Sequence, residues 1–93
     1  MSEVQESACP LCKSVAKVER HPMKKSNHYI CLSCGELVIK QKAESWLLKS
    51  SEQVRQVFAD KAKNCPKGSV LFISMGHHSA EGNCLLLEEA LRQ

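Results

Sequence analysis

From Val15 to Arg20 apolar and charged residues alternate loosely, as they do in a strand buried on one face. His21-Pro22-Met23-Lys24-Lys25-Ser26-Asn27 is polar and carries a proline, so it reads as a hairpin loop. His28-Tyr29-Ile30 leads back as the second strand, and Glu36-Leu37-Val38-Ile39 adds a third. The period then changes. Ala43, Trp46 and Leu47 fall at helical spacing, and Ser50 followed by Gln53 fits a capping box for a second helix. In that helix Val54, Val57, Phe58 and Ala62 form the apolar stripe, while Glu52, Gln53, Arg55, Gln56, Asp60 and Lys63 lie on the other faces. Asn64-Cys65-Pro66-Lys67-Gly68 ends it, with Asn64 expected as a left-handed cap and Pro66 preventing continuation. Ser69 to Ser74 is the strongest strand in the chain, rich in branched and aromatic residues. Met75 to Asn83 reads as a polar loop and Cys84 to Arg92 as a short terminal helix. Residues 1–8 carry no pattern and are expected to be a flexible N-terminus.

Composition narrows the class. At 93 residues the chain has room for one small domain but not for two independent cores, and at 43% apolar content it is not a disordered chain. A domain this small is close to balance between burial and ordering entropy, so a metal or a cross-link is expected. No apolar run approaches the length of a membrane span, and the acidic start lacks the basic and hydrophobic regions of a signal peptide. The expected location is therefore the cytoplasm, where six cysteines point to metal ligands rather than to three disulfides.

Cys9-Pro-Leu-Cys12 and Cys31-Leu-Ser-Cys34 carry the clearest chemistry. A gap of two residues lets both sulfurs of a tight turn point at one ion, and two such turns joined by a hairpin close a tetrahedron around it. Gly35 supplies the positive φ that such a turn often needs. These residues, with His28-Tyr29 before the second pair and Leu37-Val38-Ile39 then Ala43-Glu44 after it, resemble the zinc-ribbon (rubredoxin-like) group, in particular small bacterial zinc-ribbon proteins. The resemblance covers roughly residues 9–48. It implies an α+β fold: a four-cysteine ribbon over residues 9–40, packed against a helix–helix–strand–helix extension over residues 41–93. One structural Zn2+ is implied, held by Cys9, Cys12, Cys31 and Cys34. Iron-binding rubredoxins place a glycine after both pairs, whereas Lys13 follows the first pair here. Four thiolates leave no open position for water or substrate, so catalysis at this ion is not expected. Structural zinc contributes on the order of 10–16 kcal/mol in small peptides, so chelation or Cys31→Ser is expected to unfold the ribbon.

The metal also changes the charge. The formal net charge of +3 loses four units to the thiolates and regains two from the ion, leaving +1. Basicity as a whole is thus weak evidence for a polyanion, and its placement matters more. Arg20, His21, Lys24, Lys25, His28 and Tyr29 gather around the hairpin, a set that can meet phosphates and stack on a base. Cys65, His77, His78 and Cys84 are all zinc-capable and form a weaker second candidate site; otherwise Cys65 and Cys84 are expected as ordinary buried cysteines. Gly76-His77-His78-Ser79 follows the strongest strand but lacks an acidic residue to orient a catalytic pair.

The function expected is non-enzymatic contact: an interaction module, adaptor or inhibitor-like small protein that binds a protein partner or its own copy. The alternative is a small nucleic-acid-binding regulator that uses the basic hairpin, residues 20–29. A small enzyme built on residues 76–79 comes last, and no small-molecule substrate is identified.

Overall fold

The computed structural model describes residues 4–93. Its frame is one six-stranded sheet, in spatial order β1 Val4–Ala8, β2 Val15–His21, β3 Ser26–Cys31, β4 Gly35–Lys40, β5 Ser69–Met75 and β6 Ala80–Leu86. Neighbours pair antiparallel except β4 and β5, which run parallel and register Leu37 with Leu71 and Ile39 with Ile73. A parallel pair needs a long crossover, and α1 Gln41–Leu48 with α2 Glu52–Lys63 supplies it. A last helix, α3 Leu87–Arg92, follows β6.

Alternation along each strand sorts side chains onto two faces. Ala16, Val18, Tyr29, Cys31, Leu37, Ile39, Leu71 and Ile73 face α1 and α2, where they meet Ala43, Leu47, Phe58, Ala59 and Ala62. Val38, Val70 and Phe72 point the other way and are covered by α3 through Ala90, Leu87 and Leu91. Gly82 lets α2 come close to β6: a Cβ there would sit 3.2 Å from carbons of both Phe58 and Leu71.

Strands β2 to β5, the crossover helices and the terminal helix lie close to where the pattern predicts them. Four features differ. Val4–Ala8 is not a loose terminus but pairs with β2 from Val4↔Glu19 to Ala8↔Val15; residues 1–3 lie outside the described part. Residues 80–86, split between the predicted loop and helix, form a strand that pairs with β5 along its whole length. Helix α2 is capped by Ser51, whose hydroxyl accepts from the Val54 amide, while Ser50 Oγ donates to the Trp46 carbonyl. Asn64 closes that helix with φ −92°, not in the left-handed region.

The buried stripe of α2 is also rotated from the predicted one. Val57 is exposed and Arg55 is buried. The Arg55 guanidinium donates to the carbonyls of Leu47 and Ser50, at 3.3 and 2.6 Å, so it satisfies the open C-terminal end of α1. From the sheet, Tyr29 and Asn27 both donate to the Glu44 carboxylate, the latter at 3.1 Å, which pins α1 to β3. No helix among the described residues is long and apolar enough to cross a membrane.

Candidate metal centre

Two turns at one end of the sheet hold the four free thiols. The first joins β1 to β2, and its backbone closes through Lys13 N to Cys9 O and Cys9 N to Ser14 O. The second joins β3 to β4 through Gly35 at φ +94°. Lys13 occupies the matching position after the first pair and also takes a positive φ, +63°. The position after each pair thus takes the left-handed region, filled by lysine in one turn and by glycine in the other.

The four Sγ atoms lie within 4.8 Å of one another. Two of the separations that run between the turns are short: Cys12 to Cys31 is 3.4 Å and Cys9 to Cys34 is 3.9 Å. Four sulfurs at 2.3 Å from a shared ion would stand about 3.8 Å apart, so the cluster needs only small shifts to accept one. Cys9, Cys31 and Cys34 are buried and Cys12 is partly so. Burial pushes the Cys9 thiol up to about 11, against backbone hydrogen bonds from Cys12 and Leu11. Cys34 is raised further, by burial, by its hydrogen bond to Cys12 and by the negative charge of its neighbours. Burial opposes ionisation of Cys12 too, but hydrogen bonds from Cys34, from Ser14 and from Cys31 bring it down to about 6. The Cys12 thiolate therefore forms readily, whereas Cys9 and Cys34 resist ionisation; a divalent cation bound here would overcome that resistance by displacing their protons. The group could hold a metal ion.

The second candidate set does not come together. Cys65, just past α2, and Cys84, on β6, form a disulfide with each other, so neither is an ordinary free cysteine and neither offers a thiolate. Cys84 is exposed rather than buried, and His77 and His78 stand exposed on the β5–β6 turn with ring centroids 6.1 Å apart.

The hairpin set is divided by strand alternation. Tyr29 is buried and its hydroxyl is committed to Glu44, so it has no face for a base. Burial, then that bond and the carboxylate's charge, raise its pKa well above the usual phenol range. His28 is buried and its Nε2–H donates to Glu36 at 2.9 Å, while His21 lies 3.7 Å from Glu19. Arg20 remains exposed on β2.

Lys24 and Lys25 belong to a feature absent from the one-dimensional pattern. With Lys40, Gln41, Lys42, Ser74 and Met75 they line a cleft of about 490 Å³. It lies at the opposite end of the sheet from the thiols, beyond the carboxyl ends of the parallel strands β4 and β5 and beside the start of α1. Gln41 N donates to Lys25 O, tying the β2–β3 turn to that helix. Lys40 Nζ donates to Lys24 O at 2.9 Å and to Gln93 O, and Lys24 Nζ donates to Arg92 O. Burial and then the Lys24 charge lower the pKa of Lys40. The lysines come from two segments about fifteen residues apart, so only the fold gathers them. No family model, curated protein or solved structure matches the chain.

Proposed function

We propose that this chain is a zinc-stabilised, non-catalytic binding module whose partner is a phosphate-bearing polyanion, with nucleic acid as the class that fits best. The four thiolates suit zinc, which favours a closed tetrahedral sulfur site, and they leave no vacant position for chemistry. The observation that carries the binding role is the cleft lined by Lys24, Lys25, Lys40 and Lys42, with no acidic side chain among its lining residues; Lys25 and Lys42 supply the charge, since Lys24 and Lys40 are bonded to Arg92 O and Gln93 O. Lysine clusters bind phosphate backbones through charge and counterion release rather than by reading bases. The expected recognition is accordingly weak in sequence preference and strong in salt dependence. The metal, at the far end of the sheet, serves to hold β2, β3 and β4 in the register that presents these lysines.

Fluorescence anisotropy with labelled single- and double-stranded oligonucleotides tests this. Affinity on the order of 10⁻⁵ M near physiological salt is expected, falling steeply as salt rises. Lys25→Glu and Lys42→Glu should each weaken binding and lower the magnitude of the salt slope by about one. Binding that is absent, or that ignores both substitutions while zinc is retained, removes the proposal.

One observation favours a second reading, contact with a protein partner or another copy. Val15, Ile30 and Leu32 are 70%, 46% and 100% exposed, and with Glu6, Ala16 and Lys17 they line a shallow apolar groove beside the thiol turns. Leu32→Asp would abolish any association at this patch and leave oligonucleotide binding unchanged. Size-exclusion mass measured with zinc retained separates the two readings.

A further inference from the structure

We propose that Glu19, His21 and His28 form a second metal site, for a divalent first-row transition cation, on the sheet face opposite the thiols. Glu19 and His28 are directly paired across β2 and β3, and His21 lies two residues beyond Glu19, so strand alternation puts all three on one face. Cys31 and Tyr29 project from the other face of β3, into the core beneath α1 and α2. One ring nitrogen from each histidine and one carboxylate oxygen lie within 4.8 Å of one another.

Two further features separate this set from an ordinary pair of cross-strand polar residues. His21 Nε2 is shut off from solvent and has no hydrogen-bond partner, yet it stands 3.7 Å from Glu19 Oε1. A cross-strand Glu19–His28 pair accounts for those two residues but leaves that nitrogen unexplained; a cation between the three groups satisfies it. His28, only 8% exposed, is held from beside by Glu36, which accepts a 2.9 Å hydrogen bond from Nε2. A carboxylate behind an imidazole is the usual means of fixing a metal-ligating histidine. Two imidazoles and a carboxylate suit zinc, iron, nickel or copper rather than magnesium or calcium, and three protein ligands leave coordination positions open. The two sites thus differ in kind: a closed sulfur site in the core and an open nitrogen–oxygen site on a half-exposed face.

The test is zinc titration of the purified full chain against a chromophoric chelator, with magnesium as a control. Two equivalents of zinc per chain are expected, and none of magnesium. His21→Ala and Glu19→Gln, both at partly exposed positions, should abolish the second equivalent and keep the first. Glu36→Gln should weaken the second equivalent by about 10- to 100-fold. Imidazole resonances of His21 and His28 should move with the second equivalent alone. A wild-type chain that takes up no zinc beyond the thiol site overturns the proposal. So does a second equivalent that survives both His21→Ala and Glu19→Gln.

Discussion

Lys13 sits at φ +63°, a region that costs an ordinary L-residue about 1–2 kcal/mol and costs glycine almost nothing. Its side chain is exposed, so little is lost by removing it. Lys13→Gly is therefore expected to stabilise the metal-loaded protein by about 1 kcal/mol, once the greater freedom of glycine in the unfolded chain is subtracted. Chemical denaturation of the two zinc-loaded proteins measures the difference; a variant less stable than the parent would mean that the lysine is held there by something other than backbone need. At this scale the sequence was most legible where chemistry is local. Two cysteine pairs with two-residue gaps announce one cluster because each turn is complete within five residues. Arg55 and Tyr29 were not legible in the same way. Their neighbours, the α1 carbonyls and Glu44, lie on other elements, so their residue types suggested solvent for one and ligand contact for the other.

Among the elements, β1 and β6 were the least visible, and for one reason. Both are edge strands held mainly by main-chain pairing: Gln5, Glu6 and Ala8 of β1 and Glu81, Asn83, Cys84 and Leu86 of β6 are exposed. A strand that buries little leaves little alternation to read, and Gly82 and Asn83 are poor strand formers besides. What secures β6 instead is its link to the end of α2 through Cys65 and Cys84, 19 positions apart. Closing a loop of that length removes unfolded-state entropy worth about 3 kcal/mol. Cys84→Ser, at an exposed position, should lower stability by about that amount and leave zinc stoichiometry unchanged. A loss of thiol-bound zinc in this variant would show instead that the two sulfur systems are coupled.

For the molecule as a whole, the sheet joins what the sequence suggested as two parts. Residues 9–40 and 41–93 are joined through β4, whose one edge pairs with β3 and whose other pairs with β5. Structural zinc contributes about 10–16 kcal/mol in small peptides, so zinc held by the four thiols would be comparable with the entire net stability of such a domain, about 5–15 kcal/mol. Chelation is therefore expected to do more than open residues 9–40. Amide exchange followed by mass spectrometry should show protection lost from β2 to β4 and from β5 as well, since Leu71 and Ile73 lose the strand that covers their edge. A chelated protein that keeps β5 and β6 protected would make the extension an independent unit. The lysine cleft depends on the same continuity, because Lys24 and Lys25 sit on the β2–β3 turn while Ser74 and Met75 end β5.

The parallel pairing of β4 with β5 also sets an order in time. Each strand pairing among β1 to β4 closes over a short turn, whereas Leu37 meets Leu71 only after both crossover helices have been traversed. Short closures are fast and the long one is slow, because loop-closure entropy must be met before the distant contact exists. On a chain growing from its N-terminus, all four thiols emerge before the first residue of β5 has been added. An ion taken by the four thiols at that stage would make the loaded hairpin the template on which α1, α2 and the later strands settle.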